Sequence, residues 1–278
     1  MPELPEVETV CRALRPHLEG RTIAAMECRV PALRWKLDGR RLRQALVGQR
    51  IVALRRRGKY LLFGFGNGSG MVLHLGMTGR CRIVAATAPL EKHDRVVWGL
   101  DNGLSWRFQD ARKFGSLQLC RSLAGEDLPE ALRRMGPEPL DPEWSGEALF
   151  RKAQGARRPV KVFLLDQEVV AGCGNIYASE ALWRARIHPA QPASSLTRRQ
   201  CARLAVCLQE VLAAAIAEGG TTLSDYRHPD GKEGEFQVRL AVYGRTGTPC
   251  RNCGTPLRKL VQAGRSTFFC SRCQRLPK

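Results

Sequence analysis

The sequence predicts an α+β chain: an N-terminal helix leading into a β-sandwich domain, then a helical domain that ends in a metal-stapled β-hairpin. Three observations carry this expectation. Short apolar runs punctuated by Gly and Asn-Gly fill residues 21–121. Apolar residues then recur at helical spacing. Two Cys-x-x-Cys pairs, separated by sixteen residues, lie near the end of the chain.

Residues 4–18 space Val7, Val10, Cys11, Leu14 and Leu18 three and four apart, which makes an amphipathic helix with Gly20 just past its end. Strands are expected at 51–54, 60–65, 71–75, 81–84, 96–100, 104–108 and 117–119. Asn67-Gly68 and Asn102-Gly103 are hairpin turns. Residues 123–144 are rich in Pro, Gly and acids and read as a linker. Thr197 and Gln200 form a capping-box pattern before Cys201, Leu204, Leu208, Val211, Leu212 and Ala215, and Gly219 ends that helix. Residues 219–234 hold Gly-Gly and Pro-Asp-Gly and read as a mobile loop. The division expected is a catalytic β-sandwich domain over 1–122, a linker over 123–144, a helical domain over 145–238 and a metal-bound finger over 239–278.

The charge narrows the partner. Lys and Arg number 45 against 26 Asp and Glu, a net +19, which is too basic for an ordinary metabolic enzyme and calls for a polyanion. With 44% hydrophobic residues the composition is globular, which excludes a disordered basic tail. The first twenty residues carry Glu3, Glu6, Glu8 and Glu19 and lack an apolar core, so no signal peptide is expected. The longest uncharged run, 61–79, is cut by glycines, Asn67 and Ser69; it reads as two strands and a turn, not a membrane span. Eleven cysteines, an odd count, argue for reduced thiols or a metal rather than a disulfide framework.

Cys250-x2-Cys253 and Cys270-x2-Cys273 have the spacing of a four-thiolate zinc site. The spacer fits a hairpin with strands near 257–262 and 266–269 and a turn at Ala263-Gly264-Arg265. So few large apolar groups cannot hold a fold alone, so one structural Zn2+ is expected. From Arg239 to Lys278 there are nine basic residues and no acidic one, so Arg265 at the hairpin tip favours phosphate. The remaining seven cysteines lie singly on apolar faces and read as core fillers.

The chain opens Met-Pro-Glu-Leu-Pro-Glu-Val-Glu. A small second residue such as Pro2 allows removal of Met1 and leaves a secondary amine. An α-amine titrates near 7.7–8.0 against about 10.4 for Lys, so far more of it is free at neutral pH. Such an amine can attack an aldehydic carbon and form a cationic iminium ion. Taken alone, Pro with acids in a first helical turn is ordinary helix chemistry.

Seven further stretches then stand in order: 2–9 (PELPEVET), 57–62 (RGKYLL), 74–79 (HLGMTG), 110–115 (DARKFG), 174–180 (GNIYASE), 219–223 (GGTTL) and 242–245 (VYGR). With the four cysteines, they make the whole chain resemble the bacterial formamidopyrimidine-DNA glycosylases. The resemblance implies an enzyme that excises oxidised purines from double-stranded DNA and then cuts the backbone at the abasic site. It implies Pro2 as the nucleophile at the sugar C1′, Glu3 as the acid at the ring oxygen, Lys59 as an aid to elimination and Arg265 as the phosphate-holding arginine of the zinc hairpin. It implies structural support from Glu6 and Glu180, and a helix–two-turns–helix motif with Lys161 on its first helix and Asn175 opening the second. His93, Arg112, Arg157, Lys161 and Asn175 are implied DNA contacts. Met77, Arg112 and Phe114 are implied to fill the gap left by the extruded base, a need set by the few kcal/mol that unstacking costs. By the residues alone, Met77 and Phe114 read as core, His93 as a solvated loop histidine and Lys59 as a strand-end lysine.

Two positions and one stretch depart from the resemblance: Lys113 stands where Arg is common, Cys173 where an aliphatic residue is usual, and residues 226–238 are more charged than expected. The competing readings are the sister glycosylase for oxidised pyrimidines and a non-catalytic zinc-containing DNA-binding protein. The expected setting is a monomer in the bacterial cytoplasm, at the nucleoid, with no membrane partner and a DNA cleft between the two main domains.

Overall fold

The computed structural model describes residues 1–220 and 240–277. They form two compact units, one built on Met1–Arg133, the other on Arg134–Glu218 and the residues from 240 onward. The loop expected over 219–234 and the charged stretch 226–238 fall, from residue 221, outside the described residues.

The first unit begins with α1 (Leu4–Leu18), which buries Leu4, Val7, Val10, Cys11, Leu14 and Leu18. It stops at Glu19, and Gly20 takes the positive φ of +83° that a Cβ would resist. Then come β1 (Ile23–Cys28), α2 (Gly39–Leu46), β2 (Ile51–Arg57), β3 (Tyr60–Phe65), β4 (Gly70–His74), β5 (Arg80–Ala85), β6 (Asp94–Leu100), β7 (Leu104–Gln109) and β8 (Ser116–Cys120). They build two antiparallel four-stranded sheets, β1-β6-β7-β5 and β2-β3-β4-β8. One core joins the apolar face of α1 to both sheets, with Trp98 stacked on Trp106 at a centroid distance of 3.9 Å. This is the expected sandwich, and the run 61–79 supplies β3, β4 and the turn after them. Within this unit, two elements, β1 and α2, have no counterpart in the sequence reading.

The stretch read as a linker is folded. It holds a 3-10 turn (Gly125–Asp127) and α3 (Glu130–Arg133), with Leu132 buried. Further along, Met135 and Trp144 are buried, and the Trp144 indole donates to the Ala205 carbonyl at 3.2 Å.

The second unit continues with α4 (Gly146–Ala153), α5 (Val160–Leu164), α6 (Asn175–Arg184) and α7 (Arg198–Ala217). Thr197 and Gln200 close the predicted capping box of α7. That helix is long and apolar enough to cross a membrane, but its buried face packs on α4 and α6. The hairpin is β9 (Arg258–Gln262) and β10 (Arg265–Phe269), with Gln262 opposite Arg265. Its turn is only Ala263-Gly264, at φ +46° and +72°, as a two-residue twisted turn requires. Arg265 is therefore the first residue of β10 rather than part of the turn.

Among the cysteines outside the finger, Cys11, Cys81, Cys173, Cys201 and Cys207 are buried, as expected of core fillers. Cys28 and Cys120 are only half-buried, at the end of an edge strand and the end of β8. Burial pushes the thiols of Cys11 and Cys201 up to about 11 and that of Cys81 to about 12, which leaves them protonated and unreactive.

Candidate active site and metal centre

The chain start is built into the cap of α1. Pro2, Glu3 and Glu6 are buried. Glu6 accepts the Glu3 amide at 2.7 Å while the Glu3 side chain takes the Glu6 amide, a reciprocal capping box. Glu8, one turn on, accepts from Arg12 and from Arg56 of β2, each at 2.7 Å. Burial raises the Glu8 carboxyl, but these two guanidinium hydrogen bonds outweigh it and hold it below the usual carboxylate range. Arg56 also donates to the Gly58 carbonyl, which ties α1 to the β2–β3 turn. Lys59 stands in that turn, beyond Gly58 at φ +54°, and is buried.

His74 ends β4 directly across from Tyr60, with ring centroids 4.8 Å apart. Its Nδ1 accepts the Gly76 amide at 3.0 Å. Burial, then the positive charges of Lys59, Arg34 and the chain terminus, push it down to about 4, so it is a neutral acceptor at pH 7.

The turn after β4 lies against the loop before β8. Gly76 has φ +68°, and a Cβ there would stand 2.4 Å from the Gly115 nitrogen and the Phe114 carbonyl carbon. Asp110, fully buried, accepts the Gly115 amide at 2.7 Å and the Thr78 hydroxyl at 2.5 Å. The same hydroxyl accepts the Arg112 amide at 3.1 Å. Lys113 takes a left-handed φ of +58°, and the Arg112 guanidinium lies over the Phe114 ring, 4.7 Å from its centre. Phe114 is 47% exposed, which excludes the core reading that the residue alone allowed. A cavity of about 610 Å³ is lined by Met1, Arg34, His74, Met77, Arg112 and Phe114, among others. His93 is half-buried at the root of the 110–115 loop; its carbonyl accepts the Asp110 amide, and its Nδ1 lies 3.0 Å from the Arg95 guanidinium.

In the second unit, Asn175 is a hub. It is the first residue of α6, and its Oδ1 accepts from the ammonium of Lys161 on α5. Its Nδ2 donates to the Ser266 carbonyl of β10 at 2.9 Å and to the Tyr243 hydroxyl at 3.4 Å. Lys161 is fully buried behind Asn175 rather than at the surface. Glu180, buried on α6, accepts the backbone amides of Ala241, Val242 and Tyr243 at 2.8–2.9 Å. Arg265 is exposed at the head of β10. Arg157 is exposed ahead of α5, whereas neighbouring Arg158 is engaged by Asp166 and stacked on Phe163.

The sulfur atoms of Cys250, Cys253, Cys270 and Cys273 all lie within 4.8 Å of one another. Separations of 3.4, 3.5 and 4.0 Å bracket the edge of about 3.8 Å that a tetrahedron of 2.3 Å zinc–sulfur bonds would have. The set therefore fits zinc, and four thiolates close the shell, which makes the ion structural. Trp183 Nε1 and Asn252 Nδ2 donate to the sulfurs of Cys250 and Cys273, the outer-shell support such sites carry. Gln274 holds the finger to the end of α6: it accepts the Cys270 amide and donates to the Ile187 carbonyl.

Three residues of this site escaped the sequence reading: His74, Asp110 and Thr78. Each sits in a motif, but their partners are visible only in space, Thr78 and Asp110 being 32 residues apart.

Residues 1–117 match the model of the formamidopyrimidine-DNA glycosylase N-terminal domain, and 135–227 match that family's H2TH domain. Residues 247–276 match the zinc finger found in FPG and IleRS. The chain belongs to the formamidopyrimidine-DNA glycosylase family. It is 48% identical over 275 residues, 99% of this chain and all of the relative, to the formamidopyrimidine-DNA glycosylase of Stenotrophomonas maltophilia strain K279a. The MutM (Fpg) crystal structure from Thermus thermophilus is similar over the whole of both chains, with TM-score 0.88 and 45% identity. A Lactococcus lactis Fpg mutant in complex with Fapy-dG DNA matches with TM-score 0.88 and 36% identity, over 99% of this chain and all of that one.

Proposed function

We propose that this member of the family is a bifunctional DNA glycosylase of base excision repair, excising oxidised purines from duplex DNA and cleaving the abasic site by its family's lyase activity. One observation carries the reading for this chain. Met1 lines the same cavity as His74, Met77, Arg112 and Phe114, so its removal would open the Pro2 amine beside the residues assigned to base extrusion. The solved Fapy-dG complex of the Lactococcus lactis relative supports the substrate class.

In this reading the Pro2 nitrogen attacks C1′ as the base departs with its bonding pair, and Glu3 protonates the ring oxygen as the sugar opens. The resulting iminium ion draws electrons away from the C2′–H bond, and β,δ-elimination releases the phosphates. Lys59, buried beside neutral His74, assists the elimination. Arg265 holds a backbone phosphate, as do His93, Arg112 and Arg157. Asn175 makes a further contact, with Lys161 fixing it from behind and Glu180 bracing the backbone at 241–243. Zinc, when bound, stiffens the hairpin that bears Arg265. Such an enzyme works as a monomer on the bacterial nucleoid, in the cytoplasm.

The test is mass spectrometry for a chain that starts at Pro2, followed by borohydride trapping on duplexes carrying 8-oxoguanine or an oxidised pyrimidine. Trapping on the purine lesion is expected, with loss of trapping when an uncleaved extension turns the Pro2 amine into an amide. An extended protein that still traps would overturn the role of Pro2. Preferential trapping on the pyrimidine would favour the sister specificity.

A further inference from the structure

We propose that Asp110 and Thr78 are positioning residues for base extrusion, a buried latch that holds the Met77 turn and the Arg112–Phe114 loop as one rigid element. The proposal rests on the assignment of Met77, Arg112 and Phe114 made above.

The geometry has three parts. First, both oxygens of a fully buried carboxylate are engaged: one by the Gly115 amide at 2.7 Å, the other by the Thr78 hydroxyl at 2.5 Å. A carboxylate is costly to bury unless such bonds satisfy it, so the pairing fixes the loop strongly. Second, the Thr78 hydroxyl passes the link on by accepting the Arg112 amide at 3.1 Å. The backbone is thus pinned just before and just after the pair that must act, Arg112 and Phe114. Third, the left-handed turn at Lys113 lets these two side chains stack at 4.7 Å, and Gly76 lets the Met77 turn approach within backbone contact of Phe114.

What the latch does follows from its placement. Phe114 is 47% exposed and Arg112 is exposed, so neither is held by core packing. An untethered loop would lose conformational freedom as these side chains entered the stack, and that loss would subtract from the energy available to expel a base. Fixing the loop beforehand removes most of that cost. The latch should therefore matter most where a base must be displaced.

The experiment measures single-turnover base removal from a duplex with 8-oxoguanine opposite cytosine, and strand cleavage at a preformed abasic site. The variants are Thr78→Val, Thr78→Ser, Asp110→Asn, Phe114→Ala and the double Thr78→Val/Phe114→Ala. Losing the Thr78 hydroxyl bonds should slow base removal about tenfold, while abasic cleavage stays within about twofold of the parent. Thr78→Ser, which keeps the hydroxyl, should recover most of the rate. The double variant should be little slower than Phe114→Ala alone, because the latch acts through that ring. If Phe114→Ala affects only the base-bearing substrate while Thr78→Val affects neither, or both equally, the latch is wrong and the extrusion assignment stands. If Phe114→Ala slows both substrates alike, the extrusion assignment fails and the latch falls with it. Asp110→Asn keeps an oxygen for the Gly115 amide and turns its NH2 to the Thr78 oxygen, which can accept it, so it should slow base removal less than Thr78→Val; should it fail to fold, the near-isosteric Thr78→Val decides alone.

Discussion

Asn175 donates from its side-chain amide to the Ser266 carbonyl, across 91 residues of sequence, at 2.9 Å. With the Lys161 ammonium on its other side, it joins the start of α6 to the strand that begins with Arg265. Position of the hairpin and orientation of the helix start are therefore one property. A phosphate reaching the N-terminus of α6 would meet the positive end of the helix dipole and an arginine whose strand is fixed to it.

Asn175→Ala is expected to lower DNA affinity by about tenfold and to cost about 1–3 kcal/mol of stability, since the amide answers both a buried ammonium and a backbone carbonyl. Zinc content should not change. Anisotropy titration with a lesion-analogue duplex, alongside metal analysis, checks both halves; unchanged affinity would separate this hub from DNA binding.

Cys270→Ser, or strong chelation, should release zinc and with it DNA binding, while the β-sandwich unit keeps its circular dichroism. Arg265→Ala should keep zinc and reduce the log–log salt slope of binding by about 0.9, the share of one phosphate contact. An unaltered slope would mean that Arg265 touches no phosphate.

Phe114→Ala should slow removal of paired 8-oxoguanine by about tenfold or more, since burial of a Phe side chain is worth about 1.5–3 kcal/mol against the cost of unstacking. The ring is already half out in water, so the fold itself should lose little. Thermal melting of the variant against the parent distinguishes a local effect from a general one.

His74 links pH to stability. Its folded value, about 4, lies below the 6.5 of an unfolded histidine, so the unfolded chain takes up the proton first as pH falls. The stabilisation is whole above about pH 6.5, declines below that, and is gone under about pH 4, with a ceiling of about 3 kcal/mol. His74→Asn, whose carbonyl can still take the Gly76 amide, should flatten this decline. Urea midpoints compared at about pH 7 and pH 4.5 read it out, and parallel declines in parent and variant would exclude His74 as the source.

Much of this molecule is legible in its sequence wherever a local pattern decides the structure. Thr197 and Gln200 mark the start of α7 because a capping box is made within one turn. Residues 60–65 read as a strand because apolar residues fill the run between glycines, and β3 has those bounds. The misses have physical causes. α2 spells GRRLRQAL and buries only Leu42 and Leu46, too thin a stripe to stand out among three arginines. β1 spells IAAMEC and carries a bulge between Ile23 and Ala25, which breaks the two-residue alternation. The stretch 123–144 looks like a linker by composition, yet Trp144 finds its partner at Ala205, 61 residues on. Asp110 and Thr78 escaped for the same reason: their motifs name them, but only folding pairs them.

The cap of α1 has a consequence for anyone who would engineer this enzyme. Glu3, the acid assigned to sugar opening, also occupies the N-cap, and Glu6 completes the reciprocal bonding. Glu is not among the residues that cap helices best; Ser, Asp and Asn are. A selection for thermal robustness alone would therefore favour substitution at position 3. The more successful it was, the more of its survivors would be well-folded proteins with no chemistry left to perform.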